Sequence, residues 1–310
     1  MQAKELAHLK KMISRHDKVQ PADDIWRPNL AATRGSVEKL LARQAGIKAA
    51  RKEFDALAGK ATAQAEAQAA RERKAAATAS RKRSARRNAM LADRIKSFQA
   101  IGGFDNLASP TPRFLLQTPF EVSLVGATLT EHRIVTGASF ARFGFVVGKN
   151  RTSSVRVHFS YVWQNPTDKY VVINAHGYVI FDGYIEVGVN GGLFPGDRRA
   201  RLSVGGNMEV HDWGQEPLLP SAWTVTQTAA SLSESDGGFG AVGAIAAKDV
   251  FRGFDLDTSF YIVKPGGTIG LVIAANFPYS TGQNGGRVVA DFEEGGHRVT
   301  SPGVLIQIVS

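Results

Sequence analysis

The sequence predicts a mainly β protein, in which an antiparallel β-sandwich or jelly-roll domain is preceded by a long basic α-helical arm. Beyond residue 112, short apolar stretches alternate with turn signals such as Asp-Gly, Asn-Gly-Gly and Pro-Gly-Gly, with hardly any helical periodicity. Between residues 58 and 89, 13 of 32 residues are alanine and no apolar side chain is larger, which favours helix without a core. Residues 1–100 carry 23 Lys and Arg against 10 Asp and Glu, and residues 101–310 carry 15 against 18, so the net charge of +10 belongs to the first third.

The most regular β pattern lies between residues 153 and 190. Large apolar side chains alternate with Arg156, His158 and Ser160, which predicts a strand with one buried face. The apolar set is Val155, Val157, Phe159, Tyr161 and Trp163. Residues 165–168, Asn-Pro-Thr-Asp, supply turn chemistry before extended sequence resumes at Tyr170. We therefore expect these two strands to pair as a β-hairpin.

The first hundred residues divide into two predicted regions. Residues 1–35 contain a short helix and a docking loop in which Pro21 and Pro28 interrupt helical structure. Ser36 is a suitable N-cap for a helix over 36–105, where a half-polar, coiled-coil-like seam predicts at most a modest oligomer contact. The apolar seam residues are Val37, Leu40, Ile47, Phe54 and Leu57. The all-β domain is predicted to span 106–310.

Eight cations in the alanine-rich part of the arm define a candidate polyanion-binding segment. At about 100° per residue they point in all directions, so we expect a helix that does not pack on one side. Nucleic acid or another polyanion is one candidate partner, and a solvated spacer is the alternative. These residues are Arg71, Arg73, Lys74, Arg81, Lys82, Arg83, Arg86 and Arg87.

Catalytic and metal-binding patterns are sparse. The absence of cysteine excludes disulfides, thiolate metal sites and thiol nucleophiles. Residues 238–243 match the G-x-G-x-x-G spacing of dinucleotide sites but lack the strand-to-helix context, and no G-x-S-x-G nucleophile motif occurs. The acid–base or metal candidates carry no recognised spacing, although His158 and His176 lie on strands that could pair; the set is His158, His176, His211, Asp182 and Asp212. We expect no catalytic residues, no metal site and no cofactor.

Two clusters in the β domain are candidate binding surfaces. Trp213 and Trp223 flank a loop rich in proline, and loops on a rigid sandwich usually carry recognition. Arg198, Arg199 and Arg201 could bind phosphate or carboxylate groups, or could mark a solvated strand entrance.

These patterns indicate a non-enzymatic structural or binding protein that self-associates. One alternative is a coat or shell protein whose basic arm packages nucleic acid, and another is a sugar-binding or sugar-processing β-sandwich. No signal peptide or transmembrane span is visible in the sequence, and the compartment is left open.

Overall fold

The computed structural model describes residues 27–192, 197–212, 222–223, 226–235 and 241–309. The chain forms two compact units, residues 1–57 and 58–310, and the predicted boundary at 105/106 falls inside the second. One helix, α1 (Arg27–Ala100), contributes to both units. It begins before the predicted start at Ser36, because Pro28 lies in its first turn, where a missing N–H costs nothing.

The described residues of the second unit also form thirteen strands. They are β1 (Arg113–Leu116), β2 (Glu121–Val125), β3 (Leu129–Arg133), β4 (Ser139–Val147), β5 (Thr152–Gln164), β6 (Val171–Gly192), β7 (Arg199–Asp212), β8 (Ala222–Trp223), β9 (Gln227–Ser235), β10 (Ala241–Val263), β11 (Thr268–Thr281), β12 (Arg287–Phe292) and β13 (Arg298–Ile308).

The strands form two antiparallel sheets, which confirms the predicted sandwich class. The first sheet has the order β1-β13-β4-β12-β6-β10, with β3 paired to β4. The second has the order β2-β5-β11-β7-β8, with β9 paired to β7. The inner faces of both sheets share one hydrophobic core.

The predicted hairpin between β5 and β6 is wrong, although both strands exist. β5 pairs with β2 and β11, whereas β6 pairs with β10, β12 and β13 of the other sheet. The connection of residues 165–170 is long enough to cross the gap of about 10 Å between packed sheets. The chain therefore changes sheet where the turn chemistry suggested a tight return.

On the predicted outer face of β5 Arg156 is exposed but Ser160 is buried, whereas the core confirms the predicted inner face of this strand. Its alternating apolar residues, including Phe159 and Tyr161, are buried. Phe143, Phe277 and Phe292 pack with ring centroids 5.0–5.4 Å apart. Gly183 faces this cluster, and a Cβ added there would lie 2.4 Å from the Phe292 ring. A glycine is therefore needed at the point where β6 passes this ring.

β12 and β13 share one strand position in the first sheet, because each pairs with β4 on one side and β6 on the other. A single 3₁₀ turn, Glu294–Gly296, separates the two strands. Gly295 has a φ of +63°, and a Cβ there would lie 2.3 Å from the Ala77 carbonyl oxygen of α1. His297 Nε2 lies 3.3 Å from the Ala76 carbonyl oxygen. The middle of α1 therefore packs against this 3₁₀ turn.

Residues 69–98 of α1 pack on the outer face of the first sheet, so the expectation that the cation-rich part of this helix does not pack on one side is wrong. The buried residues share one face at helical spacing: Ala69, Ala76, Ala77, Ser80, Arg87, Leu91 and Phe98. Alanine permits close approach of the helix, and Tyr184 Oη donates to the Ala69 carbonyl oxygen at 3.2 Å. Between residues 69 and 87 the side chains that carry the contact are small or charged, which is why apolar size did not reveal the packed face there; Leu91 and Phe98 continue it as large apolar residues.

Candidate functional surfaces

Three of the eight predicted polyanion-binding cations pair with carboxylates of the protein's own sheet. Arg73 Nη2 donates to Glu186 Oε2 at 2.8 Å. Arg83 bridges two carboxylates, with Nη2 2.9 Å from Asp182 Oδ1 and Nη1 2.5 Å from Asp249 Oδ2. Arg87 Nη1 donates to Asp182 Oδ2. These three arginines attach α1 to β6 and β10.

Asp182 is the centre of this attachment. Its side chain is completely buried, and it also accepts a hydrogen bond from Ser80 Oγ at 3.0 Å. The hydrogen bond to Asp249 raises the pKa of Arg83, whereas burial lowers the pKa of Arg87 despite its contact with Asp182. A buried carboxylate is tolerated only when it is paired and hydrogen-bonded, as it is here. We call Ser80, Arg83, Arg87 and Asp182 the Asp182 clamp.

The other five cations lie on the rest of the helix circumference, and we call them the cationic face; Arg86 is at its edge, with its guanidinium 5.3 Å from the centroid of the Phe251 ring of β10. All five are exposed, and none has a carboxylate partner among the described residues. A shallow groove runs between the side chains of Arg71, Lys74 and Lys82, floored by alanine and threonine. The five are Arg71, Lys74, Arg81, Lys82 and Arg86.

The second sheet carries a polar network on the face away from the core. Asn276 Nδ2 donates to Asn207 Oδ1, and Asn207 Nδ2 donates to Glu209 Oε1 at 3.1 Å. His211 Nε2 lies 3.3 Å from Glu209 Oε2, and this hydrogen bond lowers the pKa of Glu209. Burial lowers the pKa of nearby His158. The network joins polar side chains of two neighbouring strands, β7 and β11, and sequence spacing gave no sign of it.

The structure separates the acid–base candidates. His176 lies on the first sheet, with Nδ1 2.8 Å from Asp257 Oδ1, while His158 and His211 lie on the second. The predicted proximity of His158 and His176 is therefore wrong, because β5 and β6 do not pair. Asp212 accepts a hydrogen bond from Tyr261 at 2.7 Å. Within the described ranges, no three His, Asp or Glu side chains form a group that could hold a metal ion.

Among the described residues, the predicted binding residues near β7 do not form one surface. Trp213 and residues 238–240 lie outside them. Trp223 lies in β8, and its backbone is in register with Glu209. Arg198 is largely buried, Arg199 Nε lies 3.3 Å from Asp197 Oδ1, and Arg201 is exposed on β7. Ligand binding by these residues stays a prediction.

An exposed apolar surface at one end of the first sheet was not foreseen from the sequence. Tyr170, Phe260 and Ile262 are 71%, 75% and 63% exposed, and we call them the β10 patch. The register of Val172 with Ile262 places them at the start of β6 and the end of β10. A β-bulge between Thr258 and Tyr261 carries Phe260 at a φ of +59°. Its N–H donates to Asn174 Oδ1 at 3.1 Å.

No helix in the described part of the chain is long and apolar enough to cross a membrane.

Comparison with known proteins places the chain in no family. No family model and no curated protein matches it. Among solved structures it is similar to the mannan-recognising carbohydrate-binding module TmCBM27, at 12% identity and a TM-score of 0.24, covering 64% of this chain and 89% of that one. A structure of the infectious bursal disease virus Gx strain matches at 10% identity and a TM-score of 0.17, covering 61% and 39%. The CBM35 module from Cellvibrio japonicus Abf62 matches at 12% identity and a TM-score of 0.19, covering 63% and 91%.

Proposed function

We propose that this protein is a non-enzymatic structural or binding protein that self-associates through the β10 patch. The observation that carries the proposal is Phe260, a large aromatic side chain exposed from a strained position of a hydrogen-bonded bulge. The alternating core supports the sandwich as the rigid body from which this patch is presented.

The bulge is costly for an isolated domain. A bulky residue at positive φ is a genuine outlier, and such strain costs of the order of 1–3 kcal/mol. Asn174 fixes the bulge through the Phe260 N–H, so the conformation is held by a specific contact. Within the domain no packing energy compensates for this strain, because the Phe260 ring faces solvent. Burial of the ring against another molecule would offset the strain energy.

A second copy of the chain suits this surface. Exposed charges of both signs border the patch: Asp168 and Lys169 precede Tyr170, Lys264 follows β10, and Asp257 lies across from His176. A mixed rim can pair with itself about a two-fold axis, whereas a rim of one sign would repel its copy. Phe and Tyr side chains bury about 150–250 Å² each, so the patch offers on the order of 400 Å². Stable interfaces bury about 800 Å² per partner, which predicts a weak contact completed by the rim.

The bulge also determines how the copies meet. β10 ends the strand order of the first sheet, and a bulge at a sheet edge opposes the addition of another strand. The proposed contact is therefore made by side chains and does not extend the sheet.

Sedimentation equilibrium of the full chain tests the proposal. Replacing Phe260 and Ile262 by serine should weaken self-association by at least about tenfold, since each tenfold step needs only about 1.4 kcal/mol. Val146→Ser is the matched control, because Val146 is 64% exposed on β4 outside the patch. An unchanged association constant in the double variant, or an equal loss in the control, would refute the role of the patch.

A further inference from the structure

We infer that the cationic face of α1 binds the phosphodiester backbone of nucleic acid, an activity separate from the self-association proposed above. The inference starts from the division of cations around one helix. Arg73, Arg83 and Arg87 are paired with sheet carboxylates, which leaves five exposed cations: four on the side away from the sheet, and Arg86 at the edge of that side, over the Phe251 ring.

The five cations form a linear array. At about 100° and 1.5 Å per residue, they fall within about 140° of the helix circumference and extend over about 22 Å. The remaining residues of this face between 67 and 89 are alanine, threonine and Gln68, and the nearest acidic side chain, Glu72, lies about 40° outside the arc. Duplex DNA carries one charge per about 1.7 Å of its axis, so an array of this length spans several phosphates.

The helix holds the array in place because its other side is attached to the sheet. Asp182 is completely buried beneath α1, and Gly295 packs against the Ala77 backbone. Ordering a flexible arm on binding costs conformational entropy, and this attached segment avoids most of that cost. The Asp182 clamp therefore orients the cationic face as well as stabilising the fold.

The composition of the face favours nucleic acid over other polyanionic partners. A membrane-surface helix buries an apolar face in the bilayer, but the large apolar residues Leu91 and Phe98, which follow this segment in α1, are buried on the sheet. Protein interfaces depend on aromatic and apolar anchors at their centre, and the face between residues 67 and 89 contains none. Binding to phosphates requires only cations, which this face supplies.

Fluorescence anisotropy with a labelled 20-nucleotide single strand and a 20-base-pair duplex tests the inference, using the full chain between 50 and 200 mM salt. The stripe variant R71Q/K74Q/K82Q removes the three cations that border the groove, and glutamine preserves helix propensity. The log–log salt slope should become less steep by about 2.1 for the single strand and about 2.7 for the duplex. On that slope, the intact chain loses about 20-fold more single-strand affinity than the variant over this salt range.

The matched control is K149Q/R151Q/R156Q, which removes the same charge from exposed positions of the β domain. It should retain the slope of the intact chain. Equal weakening by both variants would mean that only net charge matters, and would overturn the assignment. So would undetectable binding at 50 mM salt, or equally strong, equally variant-sensitive binding to polyglutamate or to vesicles with 30% phosphatidylserine. The F260S/I262S chain should keep the intact slope, so failure of the self-association proposal is distinguishable.

Discussion

Removal of the Asp182 carboxylate should destabilise the second unit more than removal of any other single charge in the Asp182 clamp. In Asp182→Ala, Arg87 loses its carboxylate at a site where only 3% of its side chain is exposed. Arg83 loses one of its two carboxylates, and Ser80 loses its acceptor. Breaking a buried pair in this way costs about 3–5 kcal/mol, because an uncompensated charge stays buried.

The natural comparison is Asp249→Ala, because Asp249 contacts the same arginine from the surface. Its side chain is 38% exposed, and Arg83 keeps Asp182 as a partner in this variant. An exposed ion pair contributes about 0–1 kcal/mol, so the two substitutions should differ by at least about 2 kcal/mol. Urea unfolding followed by far-UV circular dichroism measures both.

A double substitution separates the cost of an unpaired charge from the loss of attraction. Asp182→Leu combined with Arg87→Met removes both members of the most buried pair, and an apolar replacement of a buried pair is often neutral or stabilising. The double variant should therefore be more stable than Asp182→Ala. If Asp182→Ala costs no more than Asp249→Ala, the reasoning that buried charges control the attachment of α1 is refuted.

Three further predictions concern the β-sandwich. Phe159→Ala should cost about 3–5 kcal/mol in urea unfolding because the ring is fully buried, whereas Ser160→Ala, on the opposite face, removes a single hydroxyl and should cost no more than about 1.5 kcal/mol; equal effects would contradict the assigned faces. Gly183→Ala should cost about 1–3 kcal/mol by crowding the Phe292 ring, and adding Phe292→Leu should recover part of that loss, so no recovery would place the strain elsewhere. Burial lowers the pKa of His158, so the unfolded chain binds this proton more readily and stability should fall as pH drops below about 6.5; His158→Gln should flatten the profile, and an unchanged profile would assign the proton uptake to other groups.

The sequence predicts the buried face of a strand well, because alternation of polar and apolar residues alone decides it. Alternation along β5 predicted which residues are buried, because a strand with period-two polarity has one favourable orientation. The same alternation carries no information on the neighbouring strand. A connection of six residues can return within a sheet or cross to the other one, so the pairing of β5 with β11 could not be predicted from local pattern.

The distribution of cations around α1 does not identify its packed side, because Arg73, Arg83 and Arg87 lie on that side and pair with sheet carboxylates. A signal was present: Ala76, Ser80, Arg87, Leu91 and Phe98 fall on one side of a helix at about 100° per residue. An arginine on a packed face is interpretable only when its partner is known. The partner of Arg87 lies 95 residues later, in β6. Similarly, the Phe260 bulge follows from pairing between β6 and β10, which the local sequence does not specify.

The contact between α1 and the 3₁₀ turn that separates β12 from β13 has a consequence for biosynthesis. Gly296, which accepts a hydrogen bond from Arg87, is translated 209 residues after it. At a translation rate of about 5–20 residues per second, the helix is synthesised about 10–40 s before this turn. Until the sheet forms, the arginines that later pair with its carboxylates are exposed to water, and their mutual repulsion opposes aggregation of the alanine-rich segment. The same charges therefore act first on the solubility of the nascent helix and later in its attachment to the sheet.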